Sequence, residues 1–517
     1  MFSTILSGAI YGIESYLVHV EVDLSQGLPC FVMVGRLGGE VKESAERVRI
    51  ALKNTGITIP PMHISVNLSP ADIRKEGSGF DLSIAVGVLI AMGKLPSDSA
   101  KKTLVLGELG LDGEVKPVRG VLPVAVCAVK SGIRRCLVPK ENVREAASAG
   151  MKAVGISDLK QVIEYLRLSD EEQDGMLESM ESGKEQRLCD KNDETEKTNK
   201  GDFSEIVGQD GVKRAALIAA AGFHHILIMG PPGSGKTMIA KRIPTILPLL
   251  SSEESLEISS IYSISGCLPA GGRLLTERPF LSPHHTISPQ ALSGGGKVPK
   301  PGVISLAHRG VLFLDELPEF KRQTLDLLRQ PLEDRQIQIA RSAGSFTYPA
   351  DVMLVGAMNP CPCGYYPDVN RCRCTPFEIH HYLSHISGPI MDRIDICVEA
   401  PKVEIGQLQS KRKGESSKSM RQKVMKARKK QEERYRGTAY RFNSEIAAGD
   451  LEKYCHLERK EMEEVEKLFR TLDLSARASH KLLKVARTIA DLEESDRIMT
   501  KHLMEAVCYQ TGDKIGR

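Results

Sequence analysis

The sequence predicts an α/β protein of several domains, with a phosphate-loop nucleotide core in its middle, an α/β block before it and a helical block after it. Three observations predict this. The word GPPGSGKT at 230–237 stands between an apolar run and a helical pattern, and a second apolar run, Val311-Leu-Phe-Leu, ends in Asp315 and Glu316. Short apolar runs also alternate with helical periodicity over the first 166 residues. At 517 residues the chain is too long for one core, and a domain size of roughly 150 residues gives about three units.

Bulk composition narrows the class. Charges nearly cancel, 70 Lys and Arg against 66 Asp and Glu, so a polyanionic partner would have to meet a local basic surface. Glu14, Glu21 and Asp23 interrupt the start of the chain, and no apolar run reaches the roughly 18 residues of a spanning helix, which predicts a cytoplasmic protein without a membrane partner. Twelve cysteines, four of them crowded between Cys361 and Cys374, do not make a secreted disulfide framework in a chain this long.

Taken in order, residues 1–167 read as an α/β domain, with strand-like runs at 15–22, 64–68, 104–106 and 136–138 and a helical segment at 41–55. Residues 168–202 turn to Asp, Glu, Lys, Gln, Ser, Asn and Gly with little to bury, and read as a flexible linker. Strands followed by helices resume over 203–401. A basic connector, 402–443, carries the Lys- and Arg-rich stretch 411–434, for which a solvated linker helix is an equal reading; helical periodicity then runs over 444–517.

The nucleotide site is read from Gly230, Pro231, Pro232, Gly233, Ser234, Gly235, Lys236 and Thr237, placed between the strand-like His225-Ile-Leu-Ile-Met and a helix beginning near Met238. Backbone N–H groups and a helix N-terminus converge on phosphates in that arrangement. Gly233 and Gly235 let the backbone approach; Lys236 is expected to reach the β- and γ-phosphates of ATP and Thr237 to ligate Mg²⁺. A buried strand delivers Asp315 and Glu316 at its C-terminal end, Asp315 toward Mg²⁺ and Glu316 toward the attacking water. Helix capping by this acidic pair is the plainer alternative. A third run, 352–357, ends near Asn359, whose amide could polarise the same water or simply form a turn before Pro360.

Several longer words carry a family resemblance: VKESAERVRIALKNTG at 41–56, VNLSPADIRKEG at 66–77, RPFLSPHHTIS at 278–288, AMNPCPCGY at 357–365, ISGPIMDRIDI at 386–396 and SARASHKLLKVARTIADL at 475–492. On these the chain resembles the magnesium-chelatase-like AAA+ proteins of the ComM/YifB type, nearly end to end except in the linker. The resemblance implies an AAA+ core with a helical lid, with Arg393 as an arginine finger and Arg477 as a second sensor, each aimed at a γ-phosphate. A finger supplied by a neighbour completes a site only at a subunit interface. It further implies a hexameric DNA motor that moves branched junctions when imported single strands are integrated in natural transformation. Alternative functions are a protein-remodelling ATPase and a magnesium-chelatase-type metal-insertion motor.

The N-terminal block is similar to the Lon protease domain and to ribosomal S5-like folds around Arg74-Lys-Glu-Gly-Ser-Gly. Aligned on Lys75-Glu-Gly, the nucleophile position falls on Gly79 and the base position on Leu122. Neither side chain can do Ser–Lys chemistry, so a catalytically degenerate domain kept for binding or assembly is expected.

Cys361, Cys363, Cys372 and Cys374 form two CxC pairs. Four thiolates from one loop could make a structural tetrahedral Zn²⁺ site; four reduced thiols are the alternative. His284 and His285 are expected to shape a loop, away from any carboxylate cluster. The resemblance implies that a Gly-rich loop carrying Lys297 and Lys300 and a hairpin over 335–350, with Arg341 near its turn, project into a central pore, which makes these three the candidate DNA-phosphate contacts; a solvated surface charge is an equal reading of each.

Overall fold

The computed structural model describes residues 1–169, 171–173, 175, 201–269, 271–296, 299–341, 344–402, 414–472 and 475–510. Most of the expected linker 168–202, the first part of the connector and Lys297 therefore lie outside the described residues. The chain divides into two compact units, one made of Met1–Glu196 with Ser251–Thr276 and Ala340–Thr347, the other of Lys197–Leu250, Glu277–Ile339 and Tyr348–Arg517.

The first unit is built on a seven-stranded mixed sheet of β1 (Phe2–Tyr11), β2 (Glu14–Ser25), β3 (Cys30–Val34), β4 (His63–Ser69), β5 (Thr103–Val105), β6 (Arg135–Pro139) and β7 (Lys152–Ile156), in the order β3-β4-β2-β1-β5-β6-β7. β1 and β2 form a long antiparallel hairpin, paired from Phe2 with Asp23 to Tyr11 with Glu14. Helix α1 (Gly39–Asn54) has Val41, Val48, Ala51 and Leu52 on its buried face, the spacing an amphipathic helix requires. Helix α2 (Asp81–Ala91) is buried along its whole length. Burying Asp81 raises its pKa, and two hydrogen bonds from the Arg47 guanidinium, at 2.7 and 3.0 Å, hold its carboxylate in place. Leu122 is fully buried, and of the neighbouring polar groups Ser78 donates to Glu108 while Lys75 donates to the Pro70 carbonyl.

The second unit has a five-stranded parallel sheet: β8 (Ile226–Met229), β9 (Phe280–Leu281), β10 (Val311–Leu314), β11 (Met353–Met358) and β12 (Ile396–Glu399), in the order β9-β10-β11-β8-β12. β10 and β11 are buried at every residue, which is why they read as unbroken apolar runs. Its longer helices include α3 (Asp210–Gly222), α4 (Lys236–Ile246), α5 (Ser417–Arg434), α6 (Arg459–Leu472), α7 (Ala476–Leu492) and α8 (Thr500–Val507). Nine residues of α3 are buried, most of them alanine, so neighbouring helices approach it closely. Helix α5, read from sequence as part of a connector, buries Met420, Val424, Ala427 and Gln431 in the same core as the sheet, α3 and α7. Among the described residues, no helix is long and apolar enough to cross a membrane.

Candidate nucleotide site

The phosphate loop leaves β8 and turns into α4. Gly233 and Gly235 have φ of 78° and 87°, a left-handed region that costs other residues energy, and a Cβ on either would meet nothing within 4 Å among the described residues. Gly230 is needed for a different reason: a Cβ there would lie 2.3 Å from the Ala400 carbonyl oxygen. Ser234 Oγ is buried with no hydrogen-bond partner among the described residues. An open backbone cradle at a helix N-terminus, with an unsatisfied hydroxyl, fits a polyphosphate.

Lys236 lies over the loop. Its ammonium donates to the carbonyls of Gly230 at 2.7 Å and Pro231 at 3.0 Å and to Asn359 Oδ1 at 3.1 Å. Burial pushes its pKa down, against the pull of Asp315 and Glu316. Thr237 Oγ1 donates to Asp315 Oδ2 at 2.8 Å; two hard oxygens so close fit a shared Mg²⁺. Glu316 has φ 52°, uncommon for a side chain this large, and its side chain is 59% exposed, free to meet a ligand. The structure thus brings Gly230 to Thr237, Asp315, Glu316 and Asn359 to the C-terminal edge of one sheet.

Arg393 and Arg477 are elsewhere. β8 and β12 run parallel, Ile226 beside Ile396 and Met229 beside Glu399. The phosphate loop follows Met229, whereas Arg393 precedes Ile396, so the two lie at opposite edges of the sheet. Four residues of strand separate those edges by about 13 Å, and loops extend the distance further. Arg393 pairs with Glu333 and donates to the Pro389 carbonyl at 2.6 Å. Arg477 approaches Asp392 at 3.4 Å. Both arginines line one cavity of about 350 Å³, together with His225, Arg335, Asp395, Lys481 and Lys484.

Sequence reasoning missed the supports of that cavity. Lys481, one helical turn beyond Arg477, donates to the Ile394 carbonyl at 3.0 Å and reaches the Met391 carbonyl at 3.5 Å, gripping the turn that bears Arg393. The four-residue spacing to Arg477 was a visible signal. Asp395 is largely shielded from water; desolvation alone would raise its pKa, but the His224 contact at 3.3 Å and nearby cations overrule this and hold it below the usual carboxylate range. His285 Nδ1 lies 3.9 Å from Glu316 Oε2, a single carboxylate rather than a cluster among the described residues. Packing of the segment after β9 against the end of β10 brings them together.

The four Sγ atoms of Cys361, Cys363, Cys372 and Cys374 lie within 4.8 Å of one another, and they are the metal-capable cluster among the described residues. Lys300 is exposed and lies in a two-residue ladder with Gly295. Arg341 is exposed at the end of strand Gln336–Arg341, which pairs with strand Gly344–Pro349 in the expected hairpin.

A parallel sheet carrying a phosphate loop on one strand and an Asp-Glu pair on another defines a P-loop ATPase core of the AAA+ class. Three family profiles match: "Magnesium chelatase, subunit ChlI" over residues 202–408, "Subunit ChlI of Mg-chelatase" over 20–142, and "Magnesium chelatase, subunit ChlI C-terminal" over 414–510. The chain is 41% identical over 508 residues to the competence protein ComM of Haemophilus influenzae, covering 98% of this chain and 97% of that protein. It is 40% identical over 514 residues to YifB of Escherichia coli K12, covering 99% and 98%. Similarity to the magnesium-chelatase 38 kDa subunit of Cereibacter sphaeroides is narrower, 27% over 175 residues, or 31% of this chain and 52% of that one. The chain belongs to the ComM/YifB-type family of magnesium-chelatase-like AAA+ proteins.

Proposed function

We propose that the chain is a cytoplasmic ATP-driven motor that assembles as a homohexameric ring on single-stranded or branched DNA and drives branch migration during natural transformation. Two separate edges of one sheet carry the inter-subunit part of this reading. An arginine that cannot reach its own phosphate loop completes a site only when a neighbour presents it, and a head-to-tail contact of that kind makes a ring where its rotation closes. The similarity to a protein named for competence supports the DNA substrate.

ATP phosphates rest on the N–H groups between Gly230 and Gly235, with Lys236 drawn from its loop carbonyls to the β- and γ-phosphates. Thr237 and Asp315 would hold Mg²⁺, which neutralises phosphate charge when bound. Glu316 takes a proton from the attacking water while Asn359, already in contact with Lys236, orients it. Arg393 and Arg477 of a neighbouring subunit stabilise charge on the γ-phosphate in the transition state. Zn²⁺ at the four cysteines completes the cofactor set. Lys297, Lys300 and Arg341 grip the DNA backbone without sequence preference. The N-terminal unit serves binding or assembly.

The test compares ATP turnover of the purified protein alone, with forked DNA, with an unfolded protein and with a porphyrin, beside a three-strand junction assay. Stimulation by forked DNA, with turnover and junction movement both lost in Lys236→Ala, is the expected result. Stimulation by unfolded protein alone would favour a remodelling ATPase, and by porphyrin alone a metal-insertion motor. Junction movement retained in Lys236→Ala would overturn the motor.

A further inference from the structure

The four cysteines sit in the loop that leaves the nucleotide site. Asn359 ends the run of β11 and accepts a hydrogen bond from Lys236; Pro360 and Cys361 follow at once. From there to Thr375 the chain has neither strand nor helix. Local turn hydrogen bonds apart, regular structure resumes at Thr375, which caps the helix Pro376–Ser384 by exchanging hydrogen bonds with Glu378 at 2.8 and 3.3 Å. A loop of this length without regular structure is costly to order unless something crosslinks it.

The sulfur geometry identifies the crosslink. Cys361 Sγ lies 3.3 Å from Cys363 Sγ and 3.8 Å from Cys372 Sγ, and Cys363 lies 3.6 Å from Cys372. A disulfide needs about 2.05 Å. Sulfurs placed about 2.3 Å from one central ion, at the corners of a tetrahedron, stand about 3.8 Å apart. The three separations among Cys361, Cys363 and Cys372 fall near that value and Cys374 keeps all four sulfurs within 4.8 Å of one another, which suits one ion; a multi-iron cluster would spread the sulfurs further. Cys361 is fully buried and accepts an N–H hydrogen bond from Tyr366 at 3.4 Å, a contact that disperses thiolate charge.

The same loop touches the phosphate loop. At Gly364, between the two cysteine pairs, an added Cβ would stand 2.5 Å from Pro232 Cδ and 3.8 Å from Asn359 Cγ. Backbone from the cysteine loop therefore lies directly on the proline of the phosphate loop, with room for no side chain.

We propose that Cys361, Cys363, Cys372 and Cys374 bind one Zn²⁺ per chain, and that this zinc clamps the cysteine loop onto Pro232 so that Asn359 is held for hydrolysis. The inference rests on the nucleotide-site reading above and adds a metal-dependent control to it. Because all four ligands come from protein, the zinc has no open position for chemistry of its own, and its effect on turnover passes through Asn359 and the phosphate loop. The cysteines are thus metal ligands in positioning roles.

Elemental analysis of the full-length protein should find one zinc per chain, and cobalt substitution should give the intense visible absorption of a tetrahedral tetrathiolate. A Cys372→Ser/Cys374→Ser variant should lose the zinc, with ATP turnover down at least about tenfold and affinity for a fluorescent ADP analogue within about threefold. Cys508→Ser, outside the cluster, should change neither. Should the double variant fail to fold, zinc can be drawn from the folded parent with a mercurial, its release followed by a chromogenic chelator, and turnover measured before and after thiol and Zn²⁺ are restored. Parallel loss and recovery support the clamp. Iron in place of zinc, absence of metal from protein with reduced cysteines, or full turnover after complete zinc release would overturn it. Zinc present and lost as expected in a protein that hydrolyses no ATP under any condition would instead refute the motor and, with it, the role given to Asn359.

Discussion

If each active site takes its phosphate loop from one subunit and its arginines from the next, two inactive proteins should rescue one another. Lys236→Ala removes the ammonium that spans Gly230, Pro231 and Asn359; Arg393→Ala removes the guanidinium at the far edge of the sheet. Alone, each should fall by about a thousandfold or more in turnover, the scale on which fingers and phosphate-loop lysines act. Mixed in equal amounts and reassembled at random, about one interface in four joins an intact Lys236 to an intact Arg393, so about a quarter of parental turnover should return whatever the size of the ring. The same structure makes a sharper forecast for Arg477, which shares a cavity with Arg393. If one neighbour supplies both, Arg393→Ala mixed with Arg477→Ala restores nothing, because no subunit in the mixture carries both side chains. If Arg477 served its own phosphate loop, that mixture too would recover about a quarter. Phosphate release measured at fixed total protein, after mixing and reassembly, decides both points. No recovery from the Lys236→Ala and Arg393→Ala mixture, or near-parental turnover of Arg393→Ala alone, would refute the shared site.

Asn359→Ala should lower turnover by about ten- to a hundredfold while nucleotide affinity stays near the parental value, since the amide contacts Lys236 without belonging to the phosphate cradle; an equal fall in affinity would contradict that division. His225 should make stability depend on pH. Burial holds its imidazole below the ordinary pKa, and its Nδ1 accepts the Leu354 N–H at 3.1 Å, so it stays neutral in the fold where the unfolded chain takes up a proton. Stability therefore rises with pH up to about 6.5 and declines below it, and the fall in Tm on acidification should be shallower in His225→Asn. Parallel Tm curves for the two proteins would remove His225 from the account. Replacing Lys300 and Arg341 by alanine should weaken DNA binding alike for unrelated sequences and reduce the slope of log affinity against log salt by about two at most; an unchanged slope would place the DNA elsewhere.

The nucleotide site was legible because its chemistry demands contiguous residues. A glycine-rich loop between a strand and a helix can hardly be written another way, and the buried strand before Asp315 announces itself by unbroken apolar character. The hairpin over 335–350 was reached only through the family resemblance, and the structure pairs its two strands. What stayed hidden depends on contacts distant in sequence. Glu333 pairs with Arg393 across 60 positions and His224 meets Asp395 across 171, and no local pattern encodes either. Helix α5 was hidden in a different way. Its Lys and Arg side chains dominate the composition, yet Met420, Val424, Ala427 and Gln431 recur at steps of four, three and four, a narrow stripe that becomes meaningful only beside the alanine face of α3. β1 was overlooked because Phe2–Tyr11 mixes small, polar and apolar residues, and its strand character comes from ten cross-strand partners in β2.

That alanine face sets a limit on how the machine can be divided. Gln431 donates to the Ala221 carbonyl at 3.0 Å and accepts from the Asn443 N–H at 3.1 Å, tying the far C-terminal third to the helix that precedes the phosphate loop. A chain ended before residue 414 would keep the phosphate loop, Asp315, Glu316, Asn359 and Arg393 but lose Arg477, and it would strip from the alanine-rich face of α3 the cover that α5 and α7 give it. Fragments carrying only the phosphate loop and the acidic strand should accordingly precipitate, and the engine is inherited whole or lost.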